Sequence, residues 1–528
     1  MSTTFVTLPN EIVHHIAHLA GNDVQNLRAV NKSINVTVGP IMWETFPIIL
    51  HLNRENLSLS MTMLEEFSRT SVDKFRRLEI KSLNPSKEHH PPRRGCQRRN
   101  GDGTRIAIPP EPEDTEEIIE ARRKLSEILP KALAALKGLR SVKWYVARGD
   151  PHSAYEPVFE SLGHLLDLAD VEIVTSIDPS KLPLHQLTNG SLQRLSIKQE
   201  NGLLSDFRRF ISSLATVFVQ NPLLIHLELI TPHGNKEPFP FQDLFQNTPS
   251  NTLRLHSLRL SGWSIQASPQ LRPHLQSLNS IELPRSWKSD LDALWKLLNG
   301  ADPNIQLPLR RVSCGTVSEE LLDFLRSPSV GGLETLEFRH AGADTDERSD
   351  EFARRFYNDI LPRHQNTLRE LSLIPTYTGG WTIGSRNLEV FDEFQQLTTL
   401  SVGPDPDEIH PGAGENDIVA SFIARAMRLP NLSIISLHPV ASKSSRFARC
   451  GFGRIGAAQH TMKRMQESIE KAAVPRASHL PCNRLRIVLA PRRYQSTTGA
   501  GPEVDGEPST IMRFELVQAP SFNLLDLL

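Results

Sequence analysis

The segment GFGRIG, residues 451–456, has the spacing G-x-G-x-x-G. In dinucleotide-binding proteins this motif forms the tight turn between a strand and a helix, and the pyrophosphate binds at the N-terminus of that helix. That chemistry needs a buried strand just before the glycines and an acidic residue at the end of a second strand. The preceding residues, SKSSRFARC, are too polar for a buried strand, and Glu470 falls within a segment of helical periodicity. We therefore interpret 451–456 as a flexible glycine loop and expect no cofactor.

Other residue types that could perform chemistry are present, but not at the required spacings. The histidine pairs at 14–15 and 89–90 have no partners at metal-ligand distance in the sequence. The sequence lacks HExxH, P-loop and GxSxG motifs. The cysteines are too far apart in the chain to suggest a metal pair or a redox CxxC: Cys96, Cys314, Cys450 and Cys482. We expect no catalytic residues, no metal site and no enzymatic activity.

Composition is that of a globular protein, with 39% hydrophobic and 23% charged residues and a net charge of −1 over 528 residues. The N-terminus lacks the basic and apolar regions of a signal peptide, and no apolar run is long enough to span a membrane. The few, unpaired cysteines favour a reducing compartment. We expect an intracellular protein of the cytoplasm, the nucleus or both, without a membrane partner.

Charge is concentrated near the C-terminus. Residues 441–495 contain twelve Lys or Arg and two Glu, whereas residues 496–528 have a net charge of −4. The basic region is open to three interpretations: a solvated surface, a site for an acidic or phosphorylated substrate, or a nucleic-acid site. One Tyr and two Phe give little support for base stacking, so a nucleic-acid partner is not expected.

A pattern of the form L-x-x-L-x-L recurs at intervals of about 23 to 35 residues, as in internal-repeat proteins. Its last apolar residues alternate with polar ones, which predicts a half-buried strand, and helical periodicity follows in segments such as 206–221 and 350–364. Asp206, Ser318 and Asp350 are predicted N-caps. Ten segments carry the pattern, with LADVEI from Leu168 a further candidate; the ten begin at Leu139, Leu192, Leu224, Leu255, Leu278, Leu309, Leu333, Leu368, Leu397 and Leu432.

These segments resemble leucine-rich repeats over roughly 139–440. The resemblance implies an irregular solenoid of strand–helix units with a parallel β-sheet on its concave wall, and hence an α/β fold. The Asn that usually follows the pattern is missing in most copies; Trp263 occupies that place in LHSLRLSGW. An ordinary α/β sheet with Leu-rich strands is the alternative interpretation.

The first fifty residues contain two amphipathic helical patterns and too little chain to bury a core alone. Leu-Pro and an acidic residue precede an apolar helix; LRxVxK and a Trp follow. This stretch resembles an F-box over about 7–50, and the fold would then begin with a short all-α module. The residues that the resemblance assigns to adaptor binding are Leu8, Pro9, Ile12, Ile16, Leu19, Leu27, Val30 and Trp43.

An F-box implies a Skp-family adaptor and, through it, a cullin and a RING protein, while the repeats bind the protein to be ubiquitinated. The resemblance therefore implies a substrate-recognition subunit of an SCF-type ligase. The alternative is a non-catalytic repeat scaffold whose N-terminal helices only cap the solenoid. The predicted segments are an F-box at 1–52, a connecting segment at 53–83, a disordered insert at 84–117, the solenoid at 118–440 and a basic region at 441–528, with a flexible loop at 496–510 and a possible closing strand pair at 483–490 and 510–518.

Strand geometry also predicts a substrate surface. Polar residues between the inward apolar positions must point outward onto the sheet's concave face. The early and middle repeats place five basic residues there against two or three acids, which suits an acidic or phosphorylated protein substrate. The predicted substrate-binding residues are Arg194, Lys198, Arg259, Arg311 and Arg339.

Overall fold

The computed structural model describes residues 44, 47–53, 56–70, 73–85, 115–200, 206–231, 239–246, 253–266, 268–285, 288–300, 307–342, 345–443, 452–472, 474–475, 485–490, 492–500 and 510–518. The predicted adaptor-binding residues, from Leu8 to Trp43, lie outside the described residues, as do the histidine pairs at 14–15 and 89–90. The chain divides into two compact units. Unit 1 comprises Met1–Glu237 with Asp243–Arg254, and unit 2 comprises Pro238–Gln242 with Leu255–Leu528.

Unit 1 contains a sheet in which each strand pairs in parallel with the next along the chain. Its strands are β1 (Ile48–His51), β2 (Arg77–Ser82), β3 (Ser141–Val146), β4 (Asp170–Thr175), β5 (Arg194–Gln199) and β6 (His226–Ile230). Its helices are α1 (Leu57–Arg69), α2 (Glu116–Ala135), α3 (Tyr155–Gly163) and α4 (Phe207–Gln220). Helical segments alternate with parallel strands, as a strand–helix repeat requires.

Unit 2 continues this plan with a parallel sheet that ends in an antiparallel hairpin. Its strands are β7 (Phe239–Pro240), β8 (Ser257–Ser261), β9 (Trp263–Ser264), β10 (Ser280–Arg285), β11 (Arg311–Cys314), β12 (Thr335–Ala341), β13 (Glu370–Pro375), β14 (Thr399–Val402), β15 (Ile434–Leu437), β16 (Val474–Pro475), β17 (Arg486–Leu489), β18 (Arg492–Ala500) and β19 (Thr510–Gln518). Its helices are α5 (Arg272–Leu275), α6 (Lys288–Asn299), α7 (Glu319–Arg326), α8 (Asp346–Arg355), α9 (Ile418–Ala426) and α10 (Phe452–Lys471). The two-residue strands β7 and β9 pair with each other.

The predicted α/β class with a mostly parallel sheet is confirmed. A strand lies in each of the ten L-x-x-L-x-L segments, and β4 lies in the further candidate. In the β13 copy, Leu368, Leu371 and Leu373 are buried, while Glu370 is exposed and Ser372 is half-buried between them. Period-two burial therefore follows the sequence pattern, because successive side chains of a strand point to opposite faces.

The parallel sheet begins earlier than the pattern indicated. Strands β1 and β2 belong to unit 1, although the sequence prediction placed their residues in the F-box segment 1–52 and the connecting segment 53–83. The β2 copy reads FRRLEI, with Phe75 in the place of the first Leu. A pattern that requires a leading Leu misses this copy, although its strand residues Leu78 and Ile80 are buried and Phe75 is half-buried.

Three local predictions differ from the structure. Helix α8 begins at Asp346 with the side chain of Thr345 accepting from the Arg348 backbone N–H, so Asp350 lies inside the helix and is not its N-cap. Residues 452–456 are helical, so the predicted glycine loop is the start of α10. Strand β18 extends to residue 500 within the predicted loop 496–510, and it separates β17 from β19, which were predicted to pair directly.

A buried asparagine, Asn221, connects two repeats of unit 1 from a position before its leucine pattern. Asn221 donates to the backbone oxygens of Leu187 at 2.7 Å and Val217 at 2.8 Å, and its Oδ1 accepts from Gly190 N–H at 3.1 Å. Gly190 has φ of 73°, a conformation that glycine adopts without strain. Asn221 stands three residues before its Leu224 pattern instead of after it. It therefore satisfies backbone groups of the preceding repeat, as the expected Asn of each repeat would.

A buried histidine predicts acid sensitivity of unit 2. Burial lowers the pKa of His364 more than its hydrogen bond to the Leu325 carbonyl raises it, and burial also lowers the pKa of His438. The folded state then binds fewer protons than the unfolded chain, so stability is complete above the unfolded pKa of about 6.5 and is lost as pH falls below it. The free energy of unfolding cannot fall by more than about 1.4 kcal/mol per pH unit for each histidine.

Denaturation midpoints of unit 2 between pH 7.5 and pH 5 measure this effect. The variant His364→Gln retains an amide donor for the Leu325 carbonyl and is expected to show a shallower acid loss than the wild type. The matched control is His410→Gln, because His410 is an exposed histidine of the same unit. Equal pH profiles for the wild type and His364→Gln would contradict the assignment.

Candidate functional site

The candidate site is the open face of each sheet, the face that the helices do not cover. In unit 1 the inward side chain of Trp144 on β3 packs against Tyr155 and Phe159 of α3, with ring centroids 5.9 and 5.4 Å away. The alternate positions of the same strand, Lys143 and Tyr145, are only half-buried. Parallel pairing in register aligns these alternate positions in rows across neighbouring strands. Each open face is therefore a regular array of outward side chains.

The open face of unit 1 carries a network of alternating charges. Lys198 on β5 lies 2.9 Å from Glu172 on β4 and 3.1 Å from Glu228 on β6. Lys143 on β3 lies 3.4 Å from Glu172, and the Ser196 hydroxyl donates to Glu228 at 2.8 Å. Burial alone would raise the pKa of Glu172, but Lys198 and Lys143 outweigh it and lower that pKa. Each ammonium group in this network is matched by a carboxylate.

Lys198 neutralises two partly buried carboxylates, so its replacement is expected to destabilise unit 1. Lys198→Met keeps the aliphatic stem and removes the charge, which leaves Glu172 with Lys143 alone and takes away the cation beside Glu228. We expect a loss of about 2 kcal/mol, because the ion pairs are only partly buried. The lowered pKa of Glu172 contributes stability above its unfolded value of 4.5, and this is lost as pH falls through the folded value. The deficit should therefore be largest near pH 7 and shrink in acid.

Urea denaturation at pH 7 and pH 4 measures the deficit of Lys198→Met. Lys81→Met is the matched control, because Lys81 is an exposed lysine on strand β2 of the same sheet. A variant as stable as the wild type at both pH values would show that the network contributes nothing to folding.

The open face of unit 2 has a similar array from β8 to β13. Arg259 and Arg311 flank Glu282, with nitrogen–oxygen distances of 3.5 and 3.1 Å. Arg339 pairs with Glu337 at 2.9 Å, and Ser313 donates to the same carboxylate at 2.8 Å. Burial alone would raise the pKa of Glu337, but Arg339 and the other groups around it lower that pKa.

The five predicted substrate-binding cations therefore all lie on the open faces, three in unit 2 and two in unit 1. Arg194 lies 3.8 Å from Asp170, and the other four have the carboxylate partners described above. Sequence reasoning identified the cations but not which acid each one pairs with, because a partner lies 23 or more residues away in the chain in most pairs. Their role in binding substrate stays a prediction, and their charge is balanced by neighbouring acids.

From β14 onward the described residues of the open face no longer carry paired charges. Thr399 and Ser401 on β14 and Ile434 and Ser436 on β15 carry no charge. The next strands, β17 to β19, place three exposed arginines on this face, Arg486, Arg493 and Arg513. None of the three has an ion pair within the described part of the chain. The C-terminal end of the open face is thus its unbalanced basic part.

A cleft lies at the C-terminal ends of strands β11 to β13, where ligands often bind in α/β proteins. Its volume is about 200 Å³, and Lys443 lies 3.8 Å from Asp346 and 3.6 Å from Asp350 at its edge. The Asp350 carboxylate also accepts from the Gly380 backbone N–H at 2.5 Å. A volume below about 300 Å³ is small for a ligand pocket. These side chains therefore hold neighbouring loops together.

Two absences hold for the described residues alone. No group of three or more His, Cys, Asp or Glu side chains is arranged there as a metal site. No helix there has the length and apolar character needed to cross a membrane. Cys314 is buried on β11, and burial raises the pKa of its thiol, which disfavours the reactive thiolate.

Comparisons with known proteins give weak similarities. No family model matches the chain, and no curated protein matches. A crystal structure of the yeast Rad7 and Elc1 complex aligns with 84% of this chain and 96% of the matched chain, at 14% identity and a TM-score of 0.38. A TLR13–ssRNA13 complex aligns with 88% of this chain and 60% of the matched chain, at 12% identity and a TM-score of 0.29. A crystal structure of a Bacteroides fragilis protein aligns with 70% of this chain and 72% of the matched chain, at 15% identity and a TM-score of 0.21. Similarity at this level does not assign a function.

Proposed function

We propose that this chain is the substrate-recognition subunit of an SCF-type cullin–RING ubiquitin ligase. In this proposal the first fifty residues bind a Skp-family adaptor, which connects the chain to a cullin and a RING protein. The open faces of the sheets bind the protein to be ubiquitinated, in the cytoplasm or the nucleus, and the chain itself catalyses no reaction. The observation that carries the proposal is the pattern LPxEI, LRxVxK and Trp43 directly before a parallel strand–helix repeat.

The physical basis is an incomplete core next to a large binding surface. The apolar residues Ile12, Ile16 and Leu19 follow one helical face, and Leu27 and Val30 begin a second. So short a segment cannot bury both faces within itself, and a partner helix would complete the core. The repeats supply long rows of exposed polar side chains, which suit a protein partner better than a small molecule.

Co-expression with a Skp-family adaptor tests the proposal. A stoichiometric complex that survives size-exclusion chromatography is the expected result. If the full chain elutes without the adaptor at micromolar concentrations of both proteins, the proposal is wrong.

The scaffold alternative also has an observation in its favour. Strand β1 begins at Ile48, five residues after Trp43, and it is already part of the parallel sheet of unit 1. A segment so close to the first strand could cover the end of the repeat, which would otherwise expose apolar side chains. Deletion of residues 1–43 distinguishes the two roles. A cap would be needed for the thermal stability of unit 1, whereas an adaptor-binding module would be needed for adaptor binding alone.

A further inference from the structure

We infer that the open face of β17, β18 and β19 binds a run of aspartate and glutamate residues in a partner protein. This inference rests on the proposed function, since it names the class of substrate segment that the repeats would bind. The surface, here called the arginine face, is defined by Arg486, Arg493 and Arg513 with Gln495 and Thr497 between them. It lies beyond the five cations that the sequence predicted.

Strand register places these side chains together. Arg486 on β17 pairs with Gln495 on β18, and Val488 pairs with Arg493, so Arg486 and Arg493 are diagonal neighbours on one face. Diagonal neighbours lie about 7–8 Å apart in an antiparallel pair. Arg513 on β19 pairs with Thr497, four residues from Arg493 along β18, which separates the two arginines by about 14 Å.

The alternating burial of these strands shows which face the arginines occupy. Ile487, Tyr494, Met512 and Phe514 are buried on the inner side. The arginines at the intervening positions are exposed.

Charge imbalance separates this surface from the rest of the sheet. In unit 2 the cations from β8 to β12 lie 2.9–3.5 Å from a carboxylate, as described for Arg259, Arg311 and Arg339. Arg486, Arg493 and Arg513 have no ion pair among the described residues. Towards β13, the next acid on the same face is Glu370, three strands or about 14 Å from Arg486. A ligand that supplies negative charge here does not compete with an existing internal pair.

The distribution of the arginines favours several carboxylates over one phosphate. Same-side residues of an extended peptide lie about 6.6 Å apart, so four or five residues match the 14 Å spread of the three guanidinium groups. Glu515, the acid on this face, pairs with Gln495 in the middle of the surface, so a single phosphate placed centrally would meet a carboxylate, whereas an extended run can place its carboxylates at the separated arginines. Nucleic acid lacks a stacking platform, because the aromatic residues Tyr494 and Phe514 are buried on the other side.

Fluorescence anisotropy of the full chain tests the inference with labelled probes. The probes are a short Asp/Glu-rich peptide, its Asn/Gln counterpart, a neutral peptide with one phosphoserine, and a single-stranded oligonucleotide. We expect the acidic peptide to bind at least tenfold more tightly than the Asn/Gln peptide, with affinity falling as salt rises. Equal binding of these two peptides would overturn the inference. Tighter binding of the phosphopeptide or the oligonucleotide would also overturn it, in favour of that ligand class.

Charge-reversal variants test whether the peptide binds the arginine face itself or responds only to the net charge of the chain. Arg486→Glu with Arg493→Glu should weaken acidic-peptide binding tenfold or more, and Arg486→Gln with Arg493→Gln should weaken it less. The matched control, Arg208→Glu with Arg209→Glu, makes the same charge change at exposed residues of α4 and should alter affinity less than twofold. Equal losses in the control, or no loss in the first variant with an unchanged melting temperature, would contradict the inference. Adaptor binding is measured in parallel, so a failed adaptor complex is distinguishable from a failed peptide site.

Discussion

Replacing Leu8 and Pro9 together by alanine is expected to reduce adaptor binding tenfold or more. A fully buried Leu side chain contributes roughly 1.5–3 kcal/mol, and each 1.4 kcal/mol corresponds to a factor of ten in affinity. Pro9 adds to this because a proline in the first turn of a helix fixes φ without losing a hydrogen bond. The measurement is a titration of labelled adaptor with each variant.

The control for this prediction is Thr3→Ala with Thr4→Ala, two substitutions in the same segment but outside the F-box pattern. It should bind the adaptor as the wild type does. Wild-type affinity of the Leu8/Pro9 variant would refute the assignment of these residues to the adaptor surface. If its adaptor binding is retained but the melting temperature of unit 1 falls, the segment acts as a cap on the repeat.

Replacement of Trp381 by alanine is expected to cost unit 2 about 3–5 kcal/mol of unfolding free energy. Trp381 is buried in an aromatic cluster, with ring centroids 5.3 Å from Phe356 and 5.8 Å from Phe338. The Tyr357 hydroxyl donates to the Trp381 carbonyl at 3.1 Å. Removing the indole would leave a cavity between β12, the turn after α8 and the loop that carries Trp381, so their packing would be lost together.

Chemical denaturation of the Trp381 variants measures this cost. Trp381→Phe should lose less, since it fills part of the cavity and the indole Nε1 has no hydrogen-bond partner in the described structure. Leu516→Ala, at a side chain of unit 2 that is 43% exposed, should lose far less than Trp381→Ala. A loss below 1 kcal/mol for Trp381→Ala would show that the cluster does not hold unit 2 together.

The sequence predicted the strands of the repeat well because their information is local. A strand buried on one face needs apolar residues at every second position, and Leu368, Leu371 and Leu373 satisfy this whatever the rest of the chain does. The α/β class follows from repeating such a strand with a helical segment. Helix starts were predicted where the capping side chain is adjacent in sequence, as at Asp206 and Ser318, whose oxygens accept from Arg209 and Leu321 N–H groups.

Prediction was weaker where a residue of another type, or at another position in the repeat, fills the place that the pattern assigns to one residue. Phe75 replaces the first Leu of the β2 copy, and Asn221 bonds to the preceding repeat from before its pattern. The glycines at 453 and 456 form part of α10, because helix formation is cooperative and the following residues are good helix formers. The G-x-G-x-x-G spacing alone does not include the helix-forming residues that follow it.

The charge pattern of the candidate site was decided by tertiary structure. The sequence contains Lys198, Glu172 and Glu228 as separate outward residues of three repeats, and only register brings both carboxylates within about 3 Å of one ammonium group. The same register leaves Arg486, Arg493 and Arg513 with one acid on their face, Glu515, and with no ion pair among the described residues. Electrostatic interaction falls with distance in space and not with separation along the chain. The sequence by itself therefore determined which side chains face outward, and the pairing of strands determined which of their charges remain available to a partner.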